Sequence, residues 1–346
     1  MKSDIIKNSS DTGIAPANPT PESGTTSVNR HETGSDELKT DEDKFVELIL
    51  KTDADTGLNR IDDDRANRPI HYDTLVLSGA SIKGLVLLGA LQYAYDNYLM
   101  KITTYIGTSS GAMICYLLAI GYTPIEIAVY ICTFQLMEKL QEFNLVSMLN
   151  GAGATSFSGI QEQLEKMTIN KIGRLLNMQQ LKEEFGKRLV FATYNLTKNC
   201  AEYLSAETHP TIPCLTAIRM SCNLPLIFEH FKYNGCFYVD GGLTDNFAIN
   251  VGDRIGTKII GIYTDLLDKG DCNTMDMNVL EYIYKLICIP INHEISIKVK
   301  RASKRCDVFK LENDSNSFDF KMDSREKLEM FSCGYQQIKQ QIQKKE

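Results

Sequence analysis

Ser109 stands in Gly107-Thr108-Ser109-Ser110-Gly111, a G-x-S-x-G run between a β-prone segment, Ile102–Ile106, and an apolar, small-residue segment, Ser110–Ile120, that reads as a helix. A strand that reverses sharply into a helix holds its middle residue in a strained conformation. Side chains on the flanks would clash there, which accounts for glycine at 107 and 111. The serine then stands clear of the backbone at a helix N-terminus, where the dipole favours negative charge. Such a serine can attack an acyl carbon; the same string also serves as a plain turn, and the rest of the chain decides between the two.

A serine hydroxyl is a poor nucleophile unless a base accepts its proton. Asp240, in Asp240-Gly241-Gly242, can serve. An ordinary aspartate, with a pKa of about 3.9, is a weak base in water, and desolvation in a closed pocket raises that value. Capping a turn is the other meaning of an Asp-Gly pair. A third stretch, Gly79-Ala80-Ser81-Ile82-Lys83-Gly84, is bounded by glycines and runs into a helix. Its backbone N–H groups could receive a developing oxyanion, a contribution of about 2.7–4 kcal/mol per donor where it has been measured by mutation.

The elements that must position these residues alternate. Tyr72–Leu77 reads as a strand, Leu85 to Tyr98 as a helix with Leu88, Leu91, Tyr95 and Tyr98 at helical spacing, then the Ile102–Ile106 strand and the serine turn. This βαβα order implies a mostly parallel central sheet flanked by helices. Thr123-Pro124 opens another helix. Arg188–Tyr194, Phe237–Val239 and Lys258–Tyr263 read as strands, Thr211–Met220 as a helix, and Asp276–Glu346 as mostly helical. In an open parallel sheet, loops beyond the carboxyl ends of the strands converge on one site, which is where the three stretches are expected to meet.

The 346 residues are 43% hydrophobic and 23% charged, an ordinary globular balance. The net charge of −7 is concentrated at the start, where residues 1–70 hold 15 acidic and 9 basic side chains. No basic stripe suggests nucleic acid. Residues 1–68 are expected to form a disordered acidic tail and linker, 69–265 a catalytic domain, and 266–346 a mainly helical extension packed on it. None of the ten cysteines forms C-x-x-C, and no signal-peptide core or membrane span is evident, so the reading is intracellular, with any membrane contact peripheral.

Over roughly Tyr72–Gly261 the chain resembles the patatin-like phospholipases, serine acyl hydrolases with a Ser–Asp dyad. The resemblance rests on the glycine loop, G-x-S-x-G and the D-G-G turn in that order. It also includes the approach Met220-Ser221-Cys222-Asn223-Leu224-Pro225 and the run Tyr238-Val239-Asp240-Gly241-Gly242-Leu243. It implies a three-layer α/β/α fold, Ser109 as nucleophile and Asp240 as base. The oxyanion hole falls on Gly79, Ala80 and Ser81, with Lys83 at the family's basic position, supported by turns at Gly84, Gly107, Gly111, Gly241 and Gly242. The implied activity cleaves fatty-acyl esters of membrane phospholipid or another acyl lipid, with no metal or other cofactor. Asn246 matches the family's Asn after the D-G-G turn. The sequence departs from the family at Gly79-Ala80-Ser81, commonly Gly-Gly-Gly, where a side chain at positive φ costs about 1–2 kcal/mol, and at Ala248, where proline is frequent.

Two rival readings remain open at this point. Ser109, Asp240 and His293 occur in the chain order of a Ser-His-Asp hydrolase; His31, His71, His209 and His230 are the other histidines. A lipid-binding protein with impaired turnover is the second. Lys298, Lys300, Arg301, Lys304 and Arg305 form a basic cluster that could meet anionic headgroups or simply face solvent. The apolar segment between Phe134 and Phe157 reads as a lid or as ordinary packing.

Overall fold

A computed structural model describes residues 40, 43, 47, 71–97, 99–133, 153, 155–267, 279–313 and 322–344. The acidic tail therefore lies outside the described residues except at those first three positions, and so does residues 134–152 of the apolar stretch read as a lid.

Among the described residues eight strands form one sheet: β1 (Tyr72–Leu77), β2 (Met100–Thr108), β3 (Arg188–Asn195), β4 (Cys200–Leu204), β5 (Phe231–Tyr233), β6 (Cys236–Asp240), β7 (Ile259–Thr264) and β8 (Cys306–Leu311). The helices are α1 (Gly84–Asp96), α2 (Ser110–Ala119), α3 (Pro124–Thr133), α4 (Ser158–Ile172), α5 (Met178–Phe185), α6 (Cys214–Ser221), α7 (Gly242–Asp245), α8 (Ile249–Ile255), α9 (Val279–Arg301) and α10 (Ser324–Gln343), with a 3-10 turn at Ser81–Lys83. The strand order is β5-β6-β3-β2-β1-β7-β8, with β4 also on β3. Strands β3, β2, β1, β7 and β8 run parallel; β4 and β6 lie antiparallel to β3, and β5 pairs antiparallel with β6. This is the expected mostly parallel sheet between two helical layers.

Strand parity builds those layers. Leu75, Leu77, Tyr105, Leu189, Phe191, Ile260 and Ile262 pack on one face, with α1, α2, α4 and α6. Val76, Ile106, Val190, Ala192, Ile259 and Tyr263 pack on the other, with α8 and α9. Successive side chains of a strand point to opposite faces, so the near-continuous apolar runs fill both layers at once. Each fully buried Leu or Ile contributes roughly 1.5–3 kcal/mol from desolvation.

The segment 266–346 contributes more than helices. Strand β8 extends the sheet beside β7, and α10 lies on α1 through two glycines. A Cβ on Gly89 would come 1.8 Å from the Phe331 carbonyl oxygen, and one on Gly334 would come 1.9 Å from the Val86 carbonyl oxygen. Two backbones that approach this closely exclude any side chain between them. Asp323 caps α10, its side chain accepting the Glu326 N–H at 2.8 Å.

Candidate active site

Ser109 occupies the turn between β2 and α2 with φ 55° and ψ −125°, a left-handed value that a non-glycine residue adopts only where the surroundings enforce it. The enforcement is visible on both flanks. A Cβ on Gly107 would meet the Gly111 carbonyl and the Ala112 nitrogen at 2.6 Å, and one on Gly111 would meet the Ser78 carbonyl oxygen at 2.6 Å. The Ser109 N–H donates to Ser221 Oγ at 3.0 Å, and that hydroxyl donates onward to the Ala192 carbonyl of β3 at 2.7 Å. Ser221 thus ties the serine turn to the sheet, a role its place in the quoted motif did not disclose.

Ser109 Oγ donates to Asp240 Oδ2 at 2.7 Å, while Asp240 Oδ1 accepts the Gly242 N–H at 2.7 Å. Burial pushes the Asp240 carboxyl up to about 6, although the hydrogen bonds from Ser109 and Gly242 pull the other way. Asp240 arrives by a route other than the one expected from a parallel sheet. Strand β6 is antiparallel to β3 and meets it only at Thr193, Tyr194 and Asn195, the last residues of β3, so it enters from beyond the carboxyl edge and ends at that edge. Its last residue, Asp240, lies opposite Thr193, one residue past the Ala192 that pairs with Thr108. Gly241 is needed there because a Cβ would sit 2.1 Å from the Ala192 carbonyl oxygen. The Asp240 N–H donates to the Asn223 carbonyl at 2.9 Å, and Asn223 in turn is held by Arg219 at 2.6 Å. Arg219 is buried among Phe157, Phe228 and Phe231, its guanidinium carbon 4.5–5.6 Å from the ring centres.

The glycine loop borders the same cavity, but most of its N–H groups have acceptors. Gly79 N–H donates to the Asn246 carbonyl at 3.1 Å, and Asn246 Nδ2 donates back to the Gly79 carbonyl at 3.1 Å. Ala80 N–H donates to Ser110 Oγ at 2.9 Å. Ser81 takes the positive φ, 49°, whereas Ala80 stays at −148°, so one substitution of the triple glycine carries backbone strain and the other does not. Lys83 is fully buried, donates from Nζ to the Asp265 carbonyl at 3.3 Å, and is not among the residues that line the cavity. Gly84 opens α1, where a Cβ would find ordinary contact, 3.5 Å from Ile114 Cδ1. Ala248 caps α8 at φ −74°, a value proline also holds.

A cavity of about 210 Å³ opens on Ser109 and Asp240. Its described lining is largely aliphatic and aromatic, and Asp240 is the one Asp, Glu, Lys, Arg or His among those residues. Cys222 lines it beside Ser109, and burial, reinforced by the Asp240 charge, holds its thiol well above the ordinary range, so it stays protonated. The described histidines are not among its lining residues. His293 and His230 are exposed, His230 edge-on to Phe237, and His209 Nε2 lies 3.6 Å from Glu202 Oε2. His31 lies outside the described residues.

Sequence reasoning missed the support under the serine turn. The Thr108 hydroxyl donates to the Asp245 carbonyl at 2.9 Å, and the buried Asp245 carboxylate meets the Tyr203 hydroxyl and Lys298 Nζ, each at 2.7 Å. Lys298 also meets Glu294 at 2.7 Å. Burial opposes charge on Lys298, but the two carboxylates outweigh it and its pKa is held above the ordinary value. The basic cluster therefore divides: Lys298 is internal, Arg305 donates to the Gly256 carbonyl and to Asp253, and Lys300, Arg301 and Lys304 are exposed.

Residues 75–252 match the family model described as patatin-like phospholipase. A protein of Invertebrate iridescent virus 6 named probable lipid hydrolase 463L is 36% identical over 197 residues, 55% of this chain and 67% of that one. The uncharacterized protein R571 of Acanthamoeba polyphaga mimivirus is 29% identical over 278 residues, 78% of this chain and 93% of that one. Among solved structures, VipD from Legionella pneumophila is similar with a TM-score of 0.44 at 17% identity, over 78% of this chain and 66% of that one. No helix among the described residues is long and apolar enough to cross a membrane.

Proposed function

The chain belongs to the patatin-like phospholipase family, and from that premise we propose that it hydrolyses fatty-acyl esters of phospholipids or related lipids, with Ser109 as nucleophile and Asp240 as its base. The observation that carries this reading is the 2.7 Å bond from Ser109 Oγ to Asp240 Oδ2 at the head of an apolar cavity. A carboxylate near 6 is ionised at neutral pH and still basic enough to take a proton in the transition state.

In this scheme Ser109 Oγ attacks the ester carbon while its proton passes to Asp240 Oδ2. The tetrahedral intermediate collapses as Asp240 returns that proton to the departing alcohol oxygen, which leaves the acyl group on Ser109. Water then attacks the acyl carbon, giving its proton to Asp240, and the second tetrahedral intermediate collapses as Asp240 returns that proton to the departing Ser109 Oγ, which releases the fatty acid and restores both residues. The oxyanion needs donors. Ala80 N–H donates to a rotatable hydroxyl, that of Ser110, so an oxyanion can replace it when Ser110 turns away. The Ser110 N–H, first in α2, adds the helix dipole. Gly79 serves by anchoring the loop on Asn246, and Lys83 by fixing it to the end of β7. The catalytic unit of 69–265 works with 266–346 packed on it, and lipid is taken through peripheral contact with a membrane or micelle.

The test is incubation of the full chain with mixed acyl lipids, beside Ser109→Ala, with identification of released products and fluorophosphonate labelling. Release and labelling confined to the wild type support the reading. Release that persists in Ser109→Ala overturns it, and neither release nor labelling in the wild type favours lipid binding without turnover.

A further inference from the structure

The cavity crosses the carboxyl edge of the sheet instead of staying on one side of it. Ile114, Leu117 and Met167 line it from the layer of α2 and α4, and belong to the cluster that packs on Leu75 and Leu77. Leu266, Ile287 and Ile291 line it from the layer of α9, and pack with Val76 and Ile106. Residues 75 and 77 point to one face of β1 and residue 76 to the other, so the two groups of lining residues are on opposite sides of the sheet. Ser109 and Asp240 sit on the crest between them.

An ester carbonyl held at Ser109 carries two substituents, one on the carbonyl carbon and one on the ester oxygen, and they leave the reacting atoms in different directions. An apolar wall on each side matches hydrocarbon on each. Resting on the hydrolase reading above, we infer that the preferred substrate is an ester with hydrocarbon on both its acyl and its alcohol side, the two chains divided between the α2–α4 wall and the α9 wall. Diacyl lipids and long-chain alcohol esters have this form; an acyl ester of a small polar alcohol does not.

The experiment uses two series of saturated esters dispersed in a fixed excess of nonionic detergent. One lengthens the acyl chain on a constant alcohol, and the other lengthens the alcohol from ethyl to decyl on octanoic acid. A fully buried methylene is worth up to about fourfold, so kcat/KM is expected to climb at least about tenfold along each series. Leu117→Trp and Ile287→Trp, with the Phe variants at the same positions should either Trp fail to fold, are each expected to flatten one series and spare the slope of the other. Labelling of Ser109 by a small fluorophosphonate reports an intact site in every variant. A kcat/KM that ignores alcohol length, or two wall variants that flatten the same series, overturns this inference while leaving the hydrolase reading in place. No hydrolysis of any ester together with no labelling overturns both.

Discussion

Replacing Lys298 with Met removes a buried ammonium that holds Asp245 and Glu294, each at 2.7 Å. The Glu294 side chain is 34% exposed and can rehydrate, so little of the cost falls there. The Asp245 side chain is 3% exposed and keeps only the Tyr203 hydroxyl. Breaking a buried ion pair from one side typically costs about 3–5 kcal/mol. A ceiling applies, because a stranded carboxylate can take up a proton instead. From an ordinary carboxyl value near 3.9 this costs about 1.4 kcal/mol per pH unit, or about 4 kcal/mol at pH 7 and about 1.5 at pH 5. Lys298→Met is therefore expected to lose about 3–4 kcal/mol at pH 7 and less than half of that at pH 5. Urea unfolding followed by circular dichroism at both pH values measures it. Adding Asp245→Asn should restore at least half of the loss, since an amide needs no counter-charge. A single variant within about 0.5 kcal/mol of wild type at pH 7, or a double variant no better than the single, would refute the view that this network carries the serine turn.

Asp240→Asn is expected to lower kcat/KM by about 10²–10⁴-fold in the ester assay, and full activity would eliminate Asp240 as the base. Because folding raises the Asp240 carboxyl to about 6, its ionised form opposes the fold. That cost is absent below the unfolded value, grows as pH rises towards 6, and is complete above it at roughly 3 kcal/mol. Asp240→Asn should accordingly melt above the wild type at pH 7 and beside it at pH 4, as scanning calorimetry would register. In the wild type, kcat/KM should rise with unit slope up to about pH 6 and then level off. A histidine base of ordinary pKa, about 6.5, would give nearly the same curve, and a Ser-His-Asp triad would also lose activity with Asp240→Asn, so His293→Ala, expected to leave kcat/KM close to that of the wild type, separates the two. Gly89→Ala drives a methyl group against the Phe331 carbonyl and should cost at least about 1–3 kcal/mol in thermal denaturation; an unchanged midpoint would mean that α1 and α10 do not pack as described.

Much of the site was legible because its demands are local. The serine turn needs glycine at 107 and 111 for reasons confined to a few residues, and Tyr72–Leu77 forms the strand its β-branched and aromatic run suggests. What escaped reading depends on partners distant in sequence. Strand β8 looked like part of a helical tail, because Cys306–Leu311 becomes a strand only by pairing with β7. The direction of β6 is set by its three-residue match to β3, which no local pattern encodes. Lys298 is instructive because a signal was present. It follows Ile291 by seven residues and Ile295 by three, so helical spacing carries it onto their buried face. Its neighbours Lys300 and Arg301 lent it the look of a surface charge. The substituted glycine loop was open to reading only in part: the cost of a side chain at positive φ followed from the sequence, but that Ser81 takes that conformation and Ala80 does not is set by the folded backbone.

The glycine contact between α1 and α10, together with Lys298, also bears on synthesis. A ribosome releases Ser109 and Asp240 long before α9, β8 and α10. A nascent chain reaching only residue 267 has Ser109 and Asp240, but no ammonium behind Asp245 and no helix lying on Gly89. The two residues are written early in the chain and their frame is completed by later helices, so a truncated translation product carries the pair without the frame that holds it.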